Sequence, residues 1–412
     1  MGDKTGISWT DATWNPIAGC SVISPACTNC YAMAMAARIE AMNAGERQGG
    51  LRWREGQLQE VPLTHYAGLT QPSKAGPVWT GKIVQAPDYI LAQPLHWKRP
   101  RRIFVNSMSD LFHESVPDEW IDRIFAVMAF CAKTKVDGNE VITGYEARHI
   151  FQVLTKRSRR MREYMTELKA AADGSKGTGI LGHRLNGAAR RLSYDLGHPF
   201  WPNAPFKIWG WISDGFPGLW LGVSAEDRSR ANERISDLLA TPAAKRFVSI
   251  EPMLGPVDLG KARGLPVYWE GDASDGPLPL TSWGKEIGSM PRRGWVKHSG
   301  NMQPWLDWVI CGGESGPNAR PMHAAWPRAL RDQCAAAAVP FFFKQWGEWA
   351  PHRPKAGGDL GGDMRRGFVQ HVQFDREPDG HFRAGDCYMA RVGKRAAGDL
   401  LDGVEHKAFP HG

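Results

Sequence analysis

Arg101-Arg102-Ile103-Phe104-Val105-Asn106-Ser107-Met108-Ser109-Asp110 reads as a short buried strand that opens on basic residues and closes on small polar ones. The triplet Ile103-Phe104-Val105 is rich in β-formers and too short for a helix. A helix is expected next, over about 117–132. Pro117 suits its first turn, Asp118 and Glu119 suit its positive end, and Trp120, Ile121, Ile124, Phe125 and Met128 recur at helical spacing.

The same unit of apolar strand, polar terminus and helix recurs along the chain. A strand over 150–154 ends in Thr155-Lys156 and leads to a helix over 158–172. A strand over 219–223 ends in Ser224-Ala225-Glu226-Asp227, before a helix over 230–240. Strands over 246–250, 308–311 and 340–343 end in Glu251-Pro252, in Gly312-Gly313-Glu314 and in Lys344-Gln345, with a helix over 326–338. Counting 7–14 and 79–84, about eight strands are expected. That pattern predicts an α/β fold, a full or partial (β/α) barrel of the TIM-barrel kind with surface insertions. An open doubly wound sheet is the alternative, but no G-x-G-x-x-G follows the first strand.

The expected division is a barrel over 1–349, interrupted at about 46–77, 133–147, 173–217 and 261–303, and an extension over 350–412 packed on it. A hydrophobic content of 42% and a charged content of 23% describe a soluble globular protein. No apolar run follows Met1-Gly2-Asp3-Lys4, so no secretory leader is expected, and no stretch is apolar enough for a transmembrane helix. Seven cysteines, three of them crowded together, suit the reducing cytoplasm rather than a disulfide framework. Cys131, Cys311, Cys334 and Cys387 are dispersed and read as packed or surface thiols. The net charge of +8 permits nucleic-acid binding. Its sharpest features are Lys98-Arg99-Pro100-Arg101-Arg102 and Lys156-Arg157-Ser158-Arg159-Arg160, each of which reads equally as a solvated face.

The three crowded cysteines are Cys20, Cys27 and Cys30, spaced C-x6-C-x2-C between a strand-like entry and a helix from Tyr31 to about Asn43. Pro16, Gly19 and Pro25 keep this segment irregular, able to wrap a compact object. Closed zinc sites and ordinary iron–sulfur clusters want four protein ligands. Three thiolates on a [4Fe–4S] cluster leave one iron open for an exogenous ligand, the chemistry with which S-adenosylmethionine (SAM) is cleaved to a 5′-deoxyadenosyl radical. The same cysteines also fit buried small hydrophobes, a disulfide with a spare thiol, or a zinc knuckle completed from elsewhere.

Polar residues collect at the expected carboxyl ends of the strands, where parallel α/β folds place their sites. They include Asn106, Ser107, Ser109, Asp110, Thr155, Lys156, Arg157, Ser224, Glu226, Glu251, Glu314, Lys344 and Gln345. Such a set suits a zwitterionic ligand that needs a cation for its carboxylate and a carboxylate for its ammonium.

Several stretches carry a resemblance. They are Gly6-Ile7-Ser8-Trp9-Thr10-Asp11-Ala12-Thr13-Trp14-Asn15-Pro16 with its cysteines, Phe151-Gln152-Val153-Leu154-Thr155-Lys156-Arg157, Leu221-Gly222-Val223-Ser224-Ala225-Glu226, Ser249-Ile250-Glu251-Pro252, Gly312-Gly313-Glu314-Ser315-Gly316-Pro317 and Phe343-Lys344-Gln345-Trp346-Gly347. In these the chain resembles a phage-associated three-Cys-motif family of radical-SAM-like proteins, encoded by phage or bacterial host. More distantly it is similar to spore photoproduct lyase and its relatives, which act on DNA. The resemblance implies a [4Fe–4S] cluster on Cys20, Cys27 and Cys30. It also implies SAM contacts from Lys156 and Ser224, with Ser109 a third. On this reading Asp110, Glu226, Glu251 and Glu314 orient SAM or substrate, and Tyr31, beside the last cysteine, either packs on its adenine or serves as a first-turn core residue. It further implies an external electron donor and a nucleic-acid or nucleotide substrate. No dispersed cysteine matches the hydrogen donor of the lyase. The rival expectation is a zinc- or cluster-stabilised protein that binds nucleic acid or a partner without catalysis.

Overall fold

Seven strands hydrogen-bond side by side strictly in the order in which the chain makes them. They are β1 (Ala12–Trp14), β2 (Arg102–Val105), β3 (Ile150–Thr155), β4 (Leu219–Ser224), β5 (Lys245–Ile250), β6 (Trp308–Gly312) and β7 (Phe341–Gln345). The computed structural model describes residues 5–44, 51–54, 57–60, 64–136, 142–174, 184–195, 204–262, 295–298, 301–352, 360–374 and 385–410.

The strand order separates the two expected architectures. A doubly wound sheet reverses direction at a switch point, whereas a barrel adds each strand beside the last. Here β1 pairs with β2 in parallel with Trp14 opposite Val105, and β3 pairs with β2 in parallel with Phe151 opposite Ile103. Farther along, β6 pairs in parallel with β5 and with β7. No pairing joins β7 to β1 among the described residues, so the winding is that of a partial (β/α) barrel.

The expected eighth strand is a correction. Residues 79–84 do not form one: Gly76–Trp79 closes a hairpin with Thr70–Ser73, and Val84–Gln85 pairs antiparallel with Ile17–Ala18. Pro77 and Gly81 interrupt what the apolar residues alone suggest.

The longer helices among the described residues are α1 (Tyr31–Ala44), α2 (Asp118–Cys131), α3 (Ser158–Gly174), α4 (Arg184–Asp195), α5 (Ala204–Ser213), α6 (Arg228–Leu239) and α7 (Ala325–Ala336). In α2, Ile121, Ile124, Phe125 and Met128 are buried, as their spacing predicts, while Trp120 of the same series is only half-buried. Helix α6 is capped by Asp227, whose side chain accepts the Arg230 N–H at 2.9 Å. Helices α4 and α5 fall where an irregular insertion was expected. Leu185, Ala188, Ala189 and Leu192 form the buried face of α4, an i, i+3, i+4, i+7 series that the surrounding glycines and prolines obscure.

The chain divides into two compact units. The first comprises Met1–Leu221 with Thr241–Ala244, and the second Gly222–Ala240 with Lys245–Gly412. In the first, Phe125 packs on Tyr164 and Trp211, with ring centroids 5.3 and 6.3 Å apart. In the second, Trp308, Phe342 and Phe409 form a three-ring cluster behind β6 and β7. The region after 350 carries an antiparallel sheet of β8 (Trp349–His352), β9 (Val369–Val372) and β10 (Cys387–Arg391), with Trp349, Val369 and Met389 buried. Residues 133–136 and 142–146 form a hairpin, as do 295–298 and 301–304. Most of the expected insertion at 261–303 lies outside the described residues.

Candidate functional site

In the first unit the carboxyl ends of β1, β2 and β3 meet the cysteine segment. Asn106 follows β2 with a φ of 60°, a left-handed turn that asparagine tolerates, and its N–H donates to the Trp14 carbonyl at 2.7 Å. Asn15 then accepts from the Ser107 hydroxyl at 3.0 Å and from the Met108 N–H at 3.1 Å. Ser109 donates its hydroxyl to the Ile17 carbonyl at 2.9 Å and pairs through its backbone with Gly19. Gly19 has a φ of 98°, and a Cβ there would lie 2.0 Å from the Lys82 carbonyl oxygen, so this approach admits only glycine. The cysteine segment is thereby tied to β2 at its entrance. At its exit, Tyr31 donates its hydroxyl to the Ser107 carbonyl at 2.8 Å while its ring stays exposed.

Asp110 is the hub beneath this segment. Its buried carboxylate accepts from the Thr155 hydroxyl at 2.6 Å, the Lys156 N–H at 3.0 Å, the Phe112 N–H at 3.0 Å and Arg157 Nη1 at 3.1 Å. Four donors fill its acceptor sites, so the expected SAM-orienting carboxylate is engaged in joining the ends of β2 and β3.

Arg157 is also buried. Its Nε faces Glu114 at 3.2 Å, its Nη2 donates to the Ser21 hydroxyl at 2.8 Å, and its Nη1 lies 3.6 Å from the Cys20 sulfur. Burial alone would lower its pKa, but Asp110, Cys20 and Glu114 outweigh burial and raise it. Ser21 also meets His113 Nε2 at 2.8 Å, while His113 Nδ1 accepts the Ser115 N–H at 3.1 Å. The Nδ1 acceptor leaves the ring proton on Nε2, so neutral His113 donates to Ser21. Burial, then Arg157, lowers the pKa of His113 and keeps the ring neutral. A hydroxyl that receives two donors has no base beside it, so Ser21 is not an activated nucleophile.

The three cysteines are free thiols. Burial pushes Cys20 up to about 12, with Asp110 adding to the rise and Arg157 opposing it. Cys30 is also raised by burial, opposed by the Ala32 and Met33 N–H groups at the start of α1 and by the Lys156 charge. Cys30 adds to the rise at Cys20, and Cys27 to that at Cys30, so the thiols lie within one another's electrostatic reach. Cys27 Sγ lies 3.7 Å from the Ser24 hydroxyl. Among the described residues no three or more His, Cys, Asp or Glu side chains gather to hold one metal ion. The buried Asn106 Nδ2 has no hydrogen-bond partner among the described residues.

Ser224 and Glu226 belong to the second unit. Glu226 is fully buried and accepts from Arg234 Nη1 at 3.2 Å, while the same guanidinium donates to the Ser224 carbonyl at 2.6 Å. The Glu226 carboxylate therefore serves as the counter-ion of Arg234. Elsewhere in this unit, Lys344 pairs with Glu251 at 3.0 Å, Ser249 donates to Glu251 at 3.1 Å, and Arg320 pairs with Glu314. Cys131, Cys311 and Cys334 are buried, as packed thiols are.

The second basic run is split by its environment. Arg157 is internal, Arg160 pairs with Asp118 at 3.0 Å, and exposed Arg159 pairs with Glu163 at 2.9 Å. In the first run Arg102 pairs with Asp11 at 2.9 Å and Arg101 lies over the Trp97 ring. The sequence places Arg157 among the strand-end residues without a role of its own, and gives no sign of Ser21, His113 or Glu114. The available signal was an Arg directly after Thr155-Lys156, at a position whose alternation points inward.

No helix among the described residues is long and apolar enough to cross a membrane. No curated protein and no solved structure matches the chain. The model of one family does match, over residues 4–410, and the chain therefore belongs to that family, DUF5131, described as protein of unknown function.

Proposed function

We propose that this chain is a radical-SAM enzyme that holds a [4Fe–4S] cluster through Cys20, Cys27 and Cys30. The observation that carries the reading is the placement of charge around the thiols. Consecutive cations at the end of β3 address two of them, Arg157 at 3.6 Å from Cys20 and Lys156 acting on Cys30. The start of α1 adds its N–H groups at Cys30, which oppose, without overcoming, the rise that burial imposes on that thiol.

Three cysteines that form no disulfide, on one loop, are the donors such a group would use. A single zinc ion needs donors about 2.3 Å from one point, and no such gathering occurs among the described residues. A cluster would set each thiolate on a different iron. When bound, a cluster with one open iron supplies the electron that cleaves SAM to a 5′-deoxyadenosyl radical.

The protein's own residues do the rest. Cys20 and Cys30 lose their protons on loading, against the burial that raises both, and Arg157 and Lys156 offset the charge that results. Ser109 holds the segment against β2, and Lys156 is the cation for the SAM carboxylate. The exposed Tyr31 ring borders the last cysteine and offers a face to adenine. The substrate in this reading is a nucleic acid or nucleotide, on the net charge of +8 and the family resemblance, and an external donor provides the electron.

Anaerobic reconstitution tests the reading. The expected product is a brown protein with about four irons per chain that releases 5′-deoxyadenosine under dithionite, and faster with DNA if the substrate is a nucleic acid. Cys27→Ala is expected to lose both iron and SAM cleavage. A colourless protein holding one zinc would instead favour a stabilised binding protein without catalysis.

A further inference from the structure

The gap of six residues between Cys20 and Cys27 leaves the first thiol on a long tether, and each added loop residue widens the positions that thiol samples. The structure counters this at the residue after Cys20. Ser21 is held by two buried side chains, through the Arg157 Nη2 donor and the His113 Nε2 donor, both at 2.8 Å. The same guanidinium aims Nη1 at Cys20 Sγ, 3.6 Å away. Nη1 also donates to Asp110 and Nε faces Glu114, and Asp110 is fixed in turn by Thr155 and two backbone N–H groups. A planar fork held at all three nitrogens has no freedom to turn, so its N–H groups point one way. A neutral thiol is a weak acceptor; a thiolate accepts a charge-assisted bond well.

We propose that Arg157 is the positioning residue of Cys20: it donates an N–H···S bond to the Cys20 thiolate and, with Ser21, fixes the long arm of the cysteine motif. The inference rests on the cluster reading above. Hydrogen bonds to cluster sulfurs and fixed charge nearby set reduction potentials, and reduction adds one negative charge that a buried cation favours.

The test compares reconstituted wild type with Arg157→Gln, Arg157→Lys and Ser21→Ala, reading iron content, midpoint potential and the rate of iron loss to a chelator. In Arg157→Gln, reduction is expected to become about tenfold less favourable, a fall of 59 mV for one electron. Arg157→Lys keeps the charge and loses the fork, so it should recover much of the potential but lose iron several-fold faster. Ser21→Ala leaves the ion pairs in place and should also lose iron faster, with a small change in potential. A wild type that takes up no cluster defeats the reading above. A loaded wild type whose potential and iron loss are matched by all the folded variants overturns the role of Arg157 and leaves the cluster reading standing. If Arg157→Gln does not fold, Arg157→Lys and Ser21→Ala decide, and wild-type behaviour in both overturns the proposal.

Discussion

The Thr155 hydroxyl donates to the Asp110 carboxylate at 2.6 Å, and through that bond the end of β3 is fastened to the turn after β2. Arg157, two residues on, completes the lock with an ion pair to the same carboxylate, both partners being almost wholly buried. Asp110→Asn keeps the shape and removes the charge, leaving Arg157 with Glu114, whose side chain is largely exposed. Breaking one side of a buried pair costs roughly 3–5 kcal/mol. With Glu114 still present, a loss of about 3 kcal/mol is expected, read as a lower urea midpoint at unchanged slope. A variant as stable as wild type would show that Asp110 is not the structural hub.

Glycines give a pair of opposite expectations. A Cβ at Gly313 would fall 1.9 Å from the Trp346 carbonyl oxygen, and one at Gly347, where φ is 84°, would fall 2.0 Å from the Glu314 carbonyl oxygen. The loops after β6 and β7 thus approach backbone to backbone, and neither can yield as a side chain does. Gly313→Ala should fail to fold or melt well below wild type. Gly187 in α4 has nothing within 4 Å of a Cβ, so Gly187→Ala should add about 0.5–1 kcal/mol by helix propensity. Thermal melts of the two variants would contradict this account if both moved the same way.

Much of this architecture is legible in the amino-acid sequence. The strand ends Asn106–Asp110, Thr155–Lys156 and Ser224–Glu226 stand out because a buried parallel strand is an apolar run with polar residues at its mouth. The direction in which those polar groups face is not legible. Asp110 and Glu226 read as ligand carboxylates, yet each is engaged by an arginine, from β3's end at Arg157 and from α6 at Arg234. Partners 47 and 8 residues away arise from folding, and no local spacing announces them. Helix α4 is legible in principle, since its apolar spacing is regular. Glycine and proline on either side of it mask the signal without breaking the helix itself.

Two buried histidines predict how stability depends on pH. Burial pushes both His65 and His149 down to about 4, against an ordinary value of 6.5. The unfolded chain therefore binds more protons than the folded one between pH 6.5 and about 4. Stability from these groups is complete above pH 6.5 and is lost as pH falls through that window. The melting temperature should fall between about pH 7 and pH 5, and fall less in His149→Phe, whose ring can keep the edge contacts with Trp97 and Phe151. A slope unchanged by that substitution would remove His149 as a cause.

Lys156 and Glu226 separate ligand binding from architecture. Glu226 is fully buried against Arg234, so Glu226→Gln strands a buried cation and should lower stability by about 3 kcal/mol. Lys156 is half-buried at the mouth of β3, where its backbone N–H, which Asp110 uses, survives substitution. Lys156→Ala keeps that backbone bond to Asp110. If its ammonium holds the SAM carboxylate, that variant should bind SAM at least tenfold more weakly, about 1.4 kcal/mol, close to one charge-assisted hydrogen bond. Calorimetric titration of SAM into the reconstituted variants reads this directly. Unweakened binding in Lys156→Ala would move the carboxylate contact to another residue, whatever Glu226→Gln does.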